Sequence, residues 1–291
     1  MAFRTIIVDT HSKLEYSLGY LIFRTTDEIK RILLDEIHTL LIQSTSVSIT
    51  ASLIQELNIH KIKVIFCDEK KNPSCELSPY YQSHISSKRI NEQIKWSSKI
   101  ADQVWQKIVQ EKILNQARTL KKVGKNDEYL ILKNYAAEVL AGDTTNREGH
   151  AAKVYFNNMF YKGFTRDDDS NINAYLNYGY TILLSQFNRV IVASGYLTQL
   201  GMHHKNEFNE FNLSCDLIEP FRFLIDEKAL KIVDENNFKD EMIRVLSDEV
   251  MIQGKMQTVN NAIQIYCNTI FNALKTKDLN SIKFLEHADN L

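Results

Sequence analysis

The chain has 291 residues, 44% of them hydrophobic, which is enough for a sizeable core and favours two domains over one. Three prolines and nine glycines are few for this length, so the composition disfavours disorder and turn-rich all-β folds, and the net charge of −1 by itself disfavours a nucleic-acid binder. No apolar run approaches the roughly 20 residues that span a bilayer, and the first residues are not typical of a signal peptide. The four cysteines have neither zinc-site nor disulfide-framework spacing. We therefore expect a cytosolic protein.

The N-terminal quarter of the chain is rich in β-branched and aromatic residues, as strands are. Strands are predicted at 4–10, 14–25, 47–50 and 62–68, a short helix at 51–60, and a second short helix within 27–42, where apolar residues have mixed spacing. Two of the three prolines lie in the polar segment that follows. We therefore expect a β-rich domain over 1–72 and a linker over 73–82.

A helical period replaces the strand pattern after the linker. In 86–125, isoleucines and valines recur at intervals of four or six with basic and polar residues between them. Further helices are predicted at 129–142, 148–160, 171–195 and 241–275. The expected fold is α+β, with a small β-rich N-terminal domain joined to a larger all-α C-terminal domain over 83–291.

Positive charge is concentrated in 86–125, which has ten Lys or Arg against three Asp or Glu. This asymmetry is more informative than the net charge, because basic residues clustered on one element could follow a phosphate backbone. The candidate DNA contacts in this segment are Lys95, Lys99, Lys121 and Lys122. The alternative is a solvated helix face.

Acids and histidines occur in three separated segments. Glu148 begins a helix whose same face is otherwise apolar; a buried carboxylate needs a partner, although a first-turn Glu also suits the helix dipole. His203 and His204 follow a glycine and are expected on a loop. Asp216 and Glu219 are three residues apart among apolar neighbours, so a helix would place both on one face.

The residues around these acids allow two interpretations. Pro220 predicts either a helix that begins near Asp216 or a kink, and Arg222 is available for a plain internal salt bridge. Alternatively, the histidine and acids form an oxygen and nitrogen donor set without thiolate, which suits Mn²⁺ or Mg²⁺ better than structural zinc. Such sites carry out phosphoryl transfer, so this second interpretation predicts a metal-dependent nuclease or DNA strand-transferase.

Three motifs occur in order: Glu148 in NREGHAAKVYF, then RDDDSNINAYLNYGYTILL, then LGMHHKNEFNEFNLSCDLIEPFR. Each is weak alone, but together they resemble the CRISPR-associated spacer-acquisition integrase family over roughly 76–291. The HHKNEFN variant resembles the branch associated with type II-A systems. A β-rich N-terminal domain, expected to contribute to dimerisation, also fits this family.

The resemblance implies a metal and catalytic site formed by Glu148, His204 and Glu219, with Asp216 as a neighbour or an additional ligand. It favours His204 over His203 because the twelve-residue distance from His204 to Asp216 fits the family pattern. Many relatives have Asp where this chain has Glu219, whose side chain is one methylene longer.

The resemblance further implies that short foreign DNA fragments are inserted into the CRISPR array in the prokaryotic cytoplasm, by attack of a fragment 3′-hydroxyl on a phosphodiester at a repeat boundary. The implied partners are double-stranded DNA, a second copy of the chain and a small dimeric CRISPR-associated protein. Asn173 and Tyr178 match the second motif and are expected near the site and its DNA, although helix packing explains Tyr178 equally well. The alternatives are a hydrolytic DNA-repair nuclease that uses the same residues, and a non-catalytic DNA-binding scaffold whose acids are salt-bridged.

Overall fold

The computed structural model describes residues 4–77, 85–232 and 235–287. The chain divides into two compact units, Met1–Tyr81 and Gln82–Leu291. Strands dominate the first unit and helices the second, so the fold is mixed α/β with N-terminal strands and a helical remainder. Within the described ranges, no helix combines the length and the apolar character needed to cross a membrane.

The described part of the N-terminal unit contains two four-stranded sheets and helix α1 (Ala51–Ile59). Its strands are β1 (Arg4–Val8), β2 (Ser12–Ser17), β3 (Tyr20–Arg24), β4 (Ile29–Leu33), β5 (Ile37–Ile42), β6 (Val47–Ile49), β7 (Lys63–Cys67) and β8 (Pro73–Glu76). One sheet has the order β1-β5-β7-β8 and the other β4-β3-β2-β6. Both sheets and α1 contribute to one core, in which Leu14, Leu40 and Leu53 are fully buried.

Two predictions for this unit are wrong in detail. The segment 27–42 contains strands instead of an α-helix: β4 pairs with β3, and β5 pairs in parallel with β1 and β7. Its apolar spacing was mixed because β5 lies inside its sheet, where both faces are covered and five of its six residues are buried. The predicted strand 14–25 is a hairpin that turns at Leu18 and Gly19, whose φ angles of 48° and 84° suit a two-residue loop.

The predicted linker 73–82 begins too early. Pro73–Glu76 form β8, which pairs antiparallel with β7, and the Leu77 N–H donates to the Val64 carbonyl at 3.0 Å. A proline is tolerated here because it occupies the first position of an edge strand. Residues 78–82 of the predicted linker lie outside the described residues.

The second unit is organised around α3, a helix of 25 residues that spans about 37 Å. Its described helices are α2 (Ser86–Ile94), α3 (Ser98–Lys122), α4 (Asn126–Ala137), α5 (Arg147–Met159), α6 (Asn171–Ala193), α7 (Asn212–Ile218), α8 (Arg222–Ala229), α9 (Phe238–Ile243) and α10 (Val259–Thr276). The side chains of Ser97, Asn146 and Ser170 cap the first turns of α3, α5 and α6.

The second unit is not all-α, and the predicted helix 241–275 is interrupted. A hairpin of β9 (Glu249–Ile252) and β10 (Lys255–Thr258) lies between α9 and α10. Gln253 and Gly254 form its turn, with φ angles of 54° and 68°. The left-handed backbone at this pair ends any helix, so the neighbouring valine, isoleucine and methionines pair across a ribbon instead.

Candidate active site

Glu148 is positioned by the local structure at the start of α5. The Asn146 side chain caps this helix by accepting from the Gly149 N–H at 3.2 Å. The Asp143 carboxylate accepts from the N–H groups of Arg147 and Glu148, at 2.8 and 3.0 Å. With these backbone donors already satisfied, the Glu148 side chain, 24% exposed, is available to groups outside its own helix.

Glu219 is positioned by a kink, one of the two geometries that Pro220 predicted. Helix α7 ends at Ile218, a 3₁₀ turn covers Glu219–Phe221, and α8 begins at Arg222. The Glu219 side chain is only 5% exposed, and its Oε1 accepts from Arg222 Nε at 2.9 Å. The salt bridge that the sequence offered as the structural alternative is therefore present, but it involves only one of the two carboxylate oxygens.

Lys112 of α3 joins the two glutamates. Its Nζ lies 2.5 Å from Glu148 Oε1 and 2.5 Å from Glu219 Oε2, so these two oxygens are at most twice that distance apart. Glu219 Oε2 is buried and makes no hydrogen bond of good geometry, so its contact with Lys112 is a contact between charges. The structure thus brings together Glu148 and Glu219, which are far apart in sequence, around one cationic nitrogen.

The opposite charges of this cluster keep Lys112 and Glu219 ionised. Burial alone would lower the pKa of Lys112, but the Glu219 and Glu148 carboxylates outweigh burial and raise this pKa, so the ammonium stays charged. Burial likewise opposes ionisation of Glu219, but Arg222 and Lys112 hold the pKa of this carboxyl well below its usual range. Glu219 can therefore act as an anionic oxygen ligand.

His204 lies on the loop after α6, and Asp216 fixes its ring. Asp216 is fully buried and its Oδ1 accepts from His204 Nδ1 at 2.6 Å, which leaves Nε2 free of this contact. The hydrogen bond to Asp216 raises the pKa of His204, burial opposes the rise, and the Asp216, Glu219 and Glu148 charges add to it. The two glutamates thus lie within electrostatic range of the imidazole.

Asp216 is committed to the loop that carries His204. Its carboxylate also accepts from the backbone N–H groups of Met202, His203 and His204, at 2.6, 3.0 and 3.0 Å. Gly201 permits the loop to fold this tightly around Asp216. A Cβ at this position would lie 2.3 Å from the His204 carbonyl oxygen and 3.0 Å from Asp216 Oδ2. With four donors on two oxygens, Asp216 positions the histidine and has little capacity left for a metal ion.

His203, the histidine that the family resemblance did not favour, packs against Trp105 of α3. The two rings are stacked, with centroids 4.3 Å apart and planes 7° apart, and His204 meets the same indole edge-on at 5.6 Å. Trp105 and Lys112 were missed by the sequence analysis. A signal existed, because Trp105, Ile108 and Lys112 follow helical spacing and Lys112 is the basic residue on that apolar stripe.

A buried network behind Arg222 was also missed. Asp226 accepts from the Tyr155 hydroxyl at 3.0 Å and from the Tyr180 hydroxyl, and the Arg222 guanidinium lies 4.5 Å from the centre of the Tyr180 ring. Burial outweighs these hydrogen bonds and raises the pKa of Asp226 to about 6. This network fixes Arg222 and through it the orientation of Glu219.

Two residues expected near the DNA are buried. Asn173 is 3% exposed, donates to the carbonyls of Thr165 and Asp168 at 2.8 Å each, and accepts from Arg166. Tyr178 is also 3% exposed and packs edge-on against Phe238. Their burial assigns both residues to the packing of the helical unit instead of a DNA surface.

The four candidate lysines do not form one compact patch. All are exposed, but Lys99 and Lys121 lie at opposite ends of α3, about 33 Å apart along the helix. Lys95 follows α2, and Lys122 Nζ pairs with Glu227 at 2.8 Å. A DNA duplex would therefore have to meet these lysines at separate points.

In residues 4–77, 85–232 and 235–287, no three His, Cys, Asp or Glu side chains are grouped closely enough to hold a metal ion as they stand. At this site the Lys112 ammonium lies between the two glutamates. The donor types nevertheless fit a hard divalent cation: two carboxylates, one with a buried oxygen that lacks a hydrogen bond, and an oriented imidazole.

The fold and the site together describe a protein with a strand-rich unit followed by a helical unit. The helical unit carries two glutamates, two basic side chains and a histidine oriented by an aspartate. The family model for CRISPR associated protein Cas1 matches residues 6–260, and the chain belongs to this family. This confirms the family resemblance predicted from the three motifs.

Curated relatives and solved structures are similar to this chain over most of its length. The chain is 35% identical to a CRISPR-associated endonuclease Cas1 of Neisseria meningitidis serogroup C over 242 residues, 83% of this chain and 80% of that protein. A casposase bound to its integration product superposes with a TM-score of 0.78 at 17% identity, covering 95% of this chain and 92% of that one. A CAS1 protein from Thermotoga maritima gives 0.74 at 16% identity, covering 93% and 97%. The chain thus belongs to a family whose curated relatives include CRISPR-associated endonucleases.

Proposed function

We propose that this chain is a metal-dependent DNA strand-transferase that inserts short DNA fragments into a CRISPR array in the prokaryotic cytoplasm. The observation that carries the proposal is the convergence of Glu148 and Glu219 on one cationic position, within electrostatic range of His204. The Glu219–Arg222 pair would by itself satisfy a structural salt bridge. Here a second carboxylate, Glu148 at the start of α5, also meets the cationic nitrogen beside Glu219.

Mg²⁺ or Mn²⁺ would be held by Glu148, Glu219 and the Nε2 atom of His204. When bound, such an ion increases the acidity of a hydroxyl or water and stabilises negative charge on phosphate oxygens. Glu219 would use Oε2, since Oε1 is engaged by Arg222. Asp216 would be a positioning residue, because its oxygens already accept four hydrogen bonds.

The chain's own residues would prepare the site for phosphodiester chemistry. Asp216 would hold the His204 ring so that Nδ1 carries the proton and the lone pair of Nε2 is free to bind a metal ion. Arg222 keeps Glu219 ionised and fixes its direction. A fragment 3′-hydroxyl that attacks a phosphodiester would form one P–O bond as another breaks. The attacking hydroxyl would give up its proton to solvent, and the leaving 3′-oxygen would take up a proton from solvent.

DNA, a second copy of the chain and a small dimeric partner complete the proposal. The casposase that superposes on this chain is described as bound to its integration product, which supports a DNA substrate. A Cas6-RT-Cas1–Cas2 complex superposes with a TM-score of 0.74 at 18% identity, covering 96% of this chain and 36% of that one, which supports a Cas2-type partner.

A strand-transfer assay tests the function. Labelled fragment and a repeat-containing plasmid are incubated with Mn²⁺ and the full chain, and joined products are measured for the wild type, Glu148→Gln and His204→Ala. Glu128→Gln is the matched control, because Glu128 occupies the first turn of α4 as Glu148 does in α5. Joining that persists in both site variants would exclude this metal site.

Hydrolysis is the second candidate, because the curated relatives are named endonucleases. The same residues would act with water in place of the 3′-hydroxyl. Cleavage without joining in the assay would favour this nuclease. DNA binding without either reaction would favour a scaffold.

A further inference from the structure

Lys112 lies between the two glutamates that the proposed function assigns to the metal. It comes from an apolar stripe of α3, where Trp105 and Ile108 are almost fully buried, and its own side chain is 12% exposed. A lysine is seldom so buried unless it is paired. Here it contacts two carboxylates at 2.5 Å each, which is more pairing than one ammonium needs for its own stability.

The charges around Lys112 balance. Glu148 and Glu219 contribute two negative charges, and Lys112 and Arg222 contribute two positive charges. A divalent cation that entered this cluster would make it strongly positive. If the ammonium left, Glu148, Glu219 and Arg222 would together carry a net charge of −1 and would attract a divalent cation. Ammonium and metal are therefore alternative partners of the same two oxygens.

We propose that Lys112 is an internal counter-ion that holds Glu148 and Glu219 together in the metal-free protein and is displaced by the divalent cation. It is thus a positioning residue for the two ligands and a competitor that weakens metal binding. This inference rests on the proposed function, because it takes the two glutamates to be metal ligands.

The first test measures Mn²⁺ affinity by isothermal titration calorimetry of the full chain without DNA. Lys112→Gln removes the charge, and Lys107→Gln is the matched control, an exposed lysine on the same helix. We expect Lys112→Gln to bind Mn²⁺ about tenfold more tightly than the wild type, because a close charge pair no longer competes. Lys107→Gln should match the wild type.

The same variant should be less stable without metal and should gain more from it. Removing Lys112 leaves Glu219 with Arg222 as its remaining basic contact among the described residues, so the metal-free midpoint of thermal unfolding should fall below that of Lys107→Gln. Saturating Mn²⁺ should raise the midpoint of Lys112→Gln more than that of the wild type.

A second measurement uses the wild-type chain and does not depend on the folding of a variant. Lysines are acylated briefly with and without Mn²⁺, and the modified peptides are quantified by mass spectrometry. Displacement predicts that Mn²⁺ increases the acylation of Lys112, while Lys107 stays unchanged. The ratio of the two lysines cancels any general effect of the ion on the reagent.

The outcomes separate this inference from the proposed function. Equal Mn²⁺ affinity in all three proteins, weaker binding in Lys112→Gln, or unchanged acylation of Lys112 on Mn²⁺ binding would overturn the counter-ion role and leave the metal site intact. Absence of Mn²⁺ binding from both the wild type and Lys112→Gln would overturn the metal site, and the counter-ion role with it.

Discussion

Asp216 and Glu219 lie three residues apart, both are buried, and both contact a group of the candidate site, yet their surroundings are opposite. Among the described residues, Asp216 accepts from three backbone N–H groups and from the imidazole of His204. Glu219 meets charges: Arg222 on one oxygen and Lys112 near the other, which lacks an aligned hydrogen bond.

The difference shows how two buried acids close in sequence can have different roles, one in positioning a loop and one in binding a cation. A carboxylate saturated by directional donors is immobile and holds a loop in place. A carboxylate that is balanced by charges keeps an oxygen that a different cation can take over. Asp216 therefore orients the site, while Glu219 and its counterpart Glu148 are suited to ligation.

The largest expected effect comes from removing a ligand. Glu148→Gln should lower the rate of strand transfer about a thousandfold, equivalent to about 4 kcal/mol of transition-state stabilisation, because a neutral amide is a poor ligand for a hard cation. Its free energy of unfolding should change by less than about 1 kcal/mol, because Glu148 is partly exposed and Lys112 keeps its contact with Glu219. Single-turnover assays and urea unfolding measure the two quantities. A variant that kept its activity but lost stability would reverse the assigned roles.

The next effect is on stability. Asp216→Asn places an NH₂ group against N–H donors in a buried site, so the free energy of unfolding should fall by about 3 to 5 kcal/mol. Asp169→Asn, at an exposed position, is the control. Chemical denaturation of both variants checks the prediction, and equal stability would show that the carboxylate is not needed to hold the loop.

The strongly periodic and capped segments were predictable from the sequence. Helices α5 and α6 lie within a residue or two of their predicted ranges, because their apolar spacing and their capping residues agree. The helix predicted within 27–42 failed because its apolar run forms β5, which pairs on both sides inside a sheet. The helix predicted at 241–275 failed at the left-handed turn of Gln253 and Gly254. Short apolar runs fit either period, and sheet pairing partners decide between them.

The roles within the site were harder to predict than its members. The sequence placed Glu148, His204, Asp216 and Glu219 in one group, but only the loop backbone at 202–204 reveals that Asp216 is saturated. The contact of Lys112 with both glutamates depends on how α3, α5 and the turn after α7 pack together. That packing is a tertiary property, and sequence spacing does not encode it locally.

Asp226 extends the comparison to pH. Its folded-state pKa of about 6 lies above the ordinary value of 3.8, so its favourable contribution to stability is complete below that value and is lost as the pH rises through 6. Relative to Asp226→Asn, the wild type should lose about 2 to 3 kcal/mol of unfolding free energy between pH 4 and pH 7. Glu219 has a lowered pKa, so its contribution has the opposite sign and is lost on acidification. A parallel pH dependence in the wild type and the variant would refute the assignment.

The smallest effects concern the basic helix, where the contrast between exposed and paired charges recurs at the surface. Lys99→Gln should reduce the slope of log affinity for DNA against log salt concentration by about 0.9, the value for one phosphate contact. Lys122→Gln should reduce it less, because the Lys122 ammonium is already paired with Glu227 at 2.8 Å. Replacing Lys95, Lys99, Lys121 and Lys122 together should give the largest loss of affinity.

Titrations with a labelled duplex at several salt concentrations measure these slopes, and an unchanged slope in the fourfold variant would identify the basic segment as a solvated face. Equal slopes for the two single variants would instead show that DNA displaces Glu227 as readily as it displaces a counter-ion from an exposed lysine.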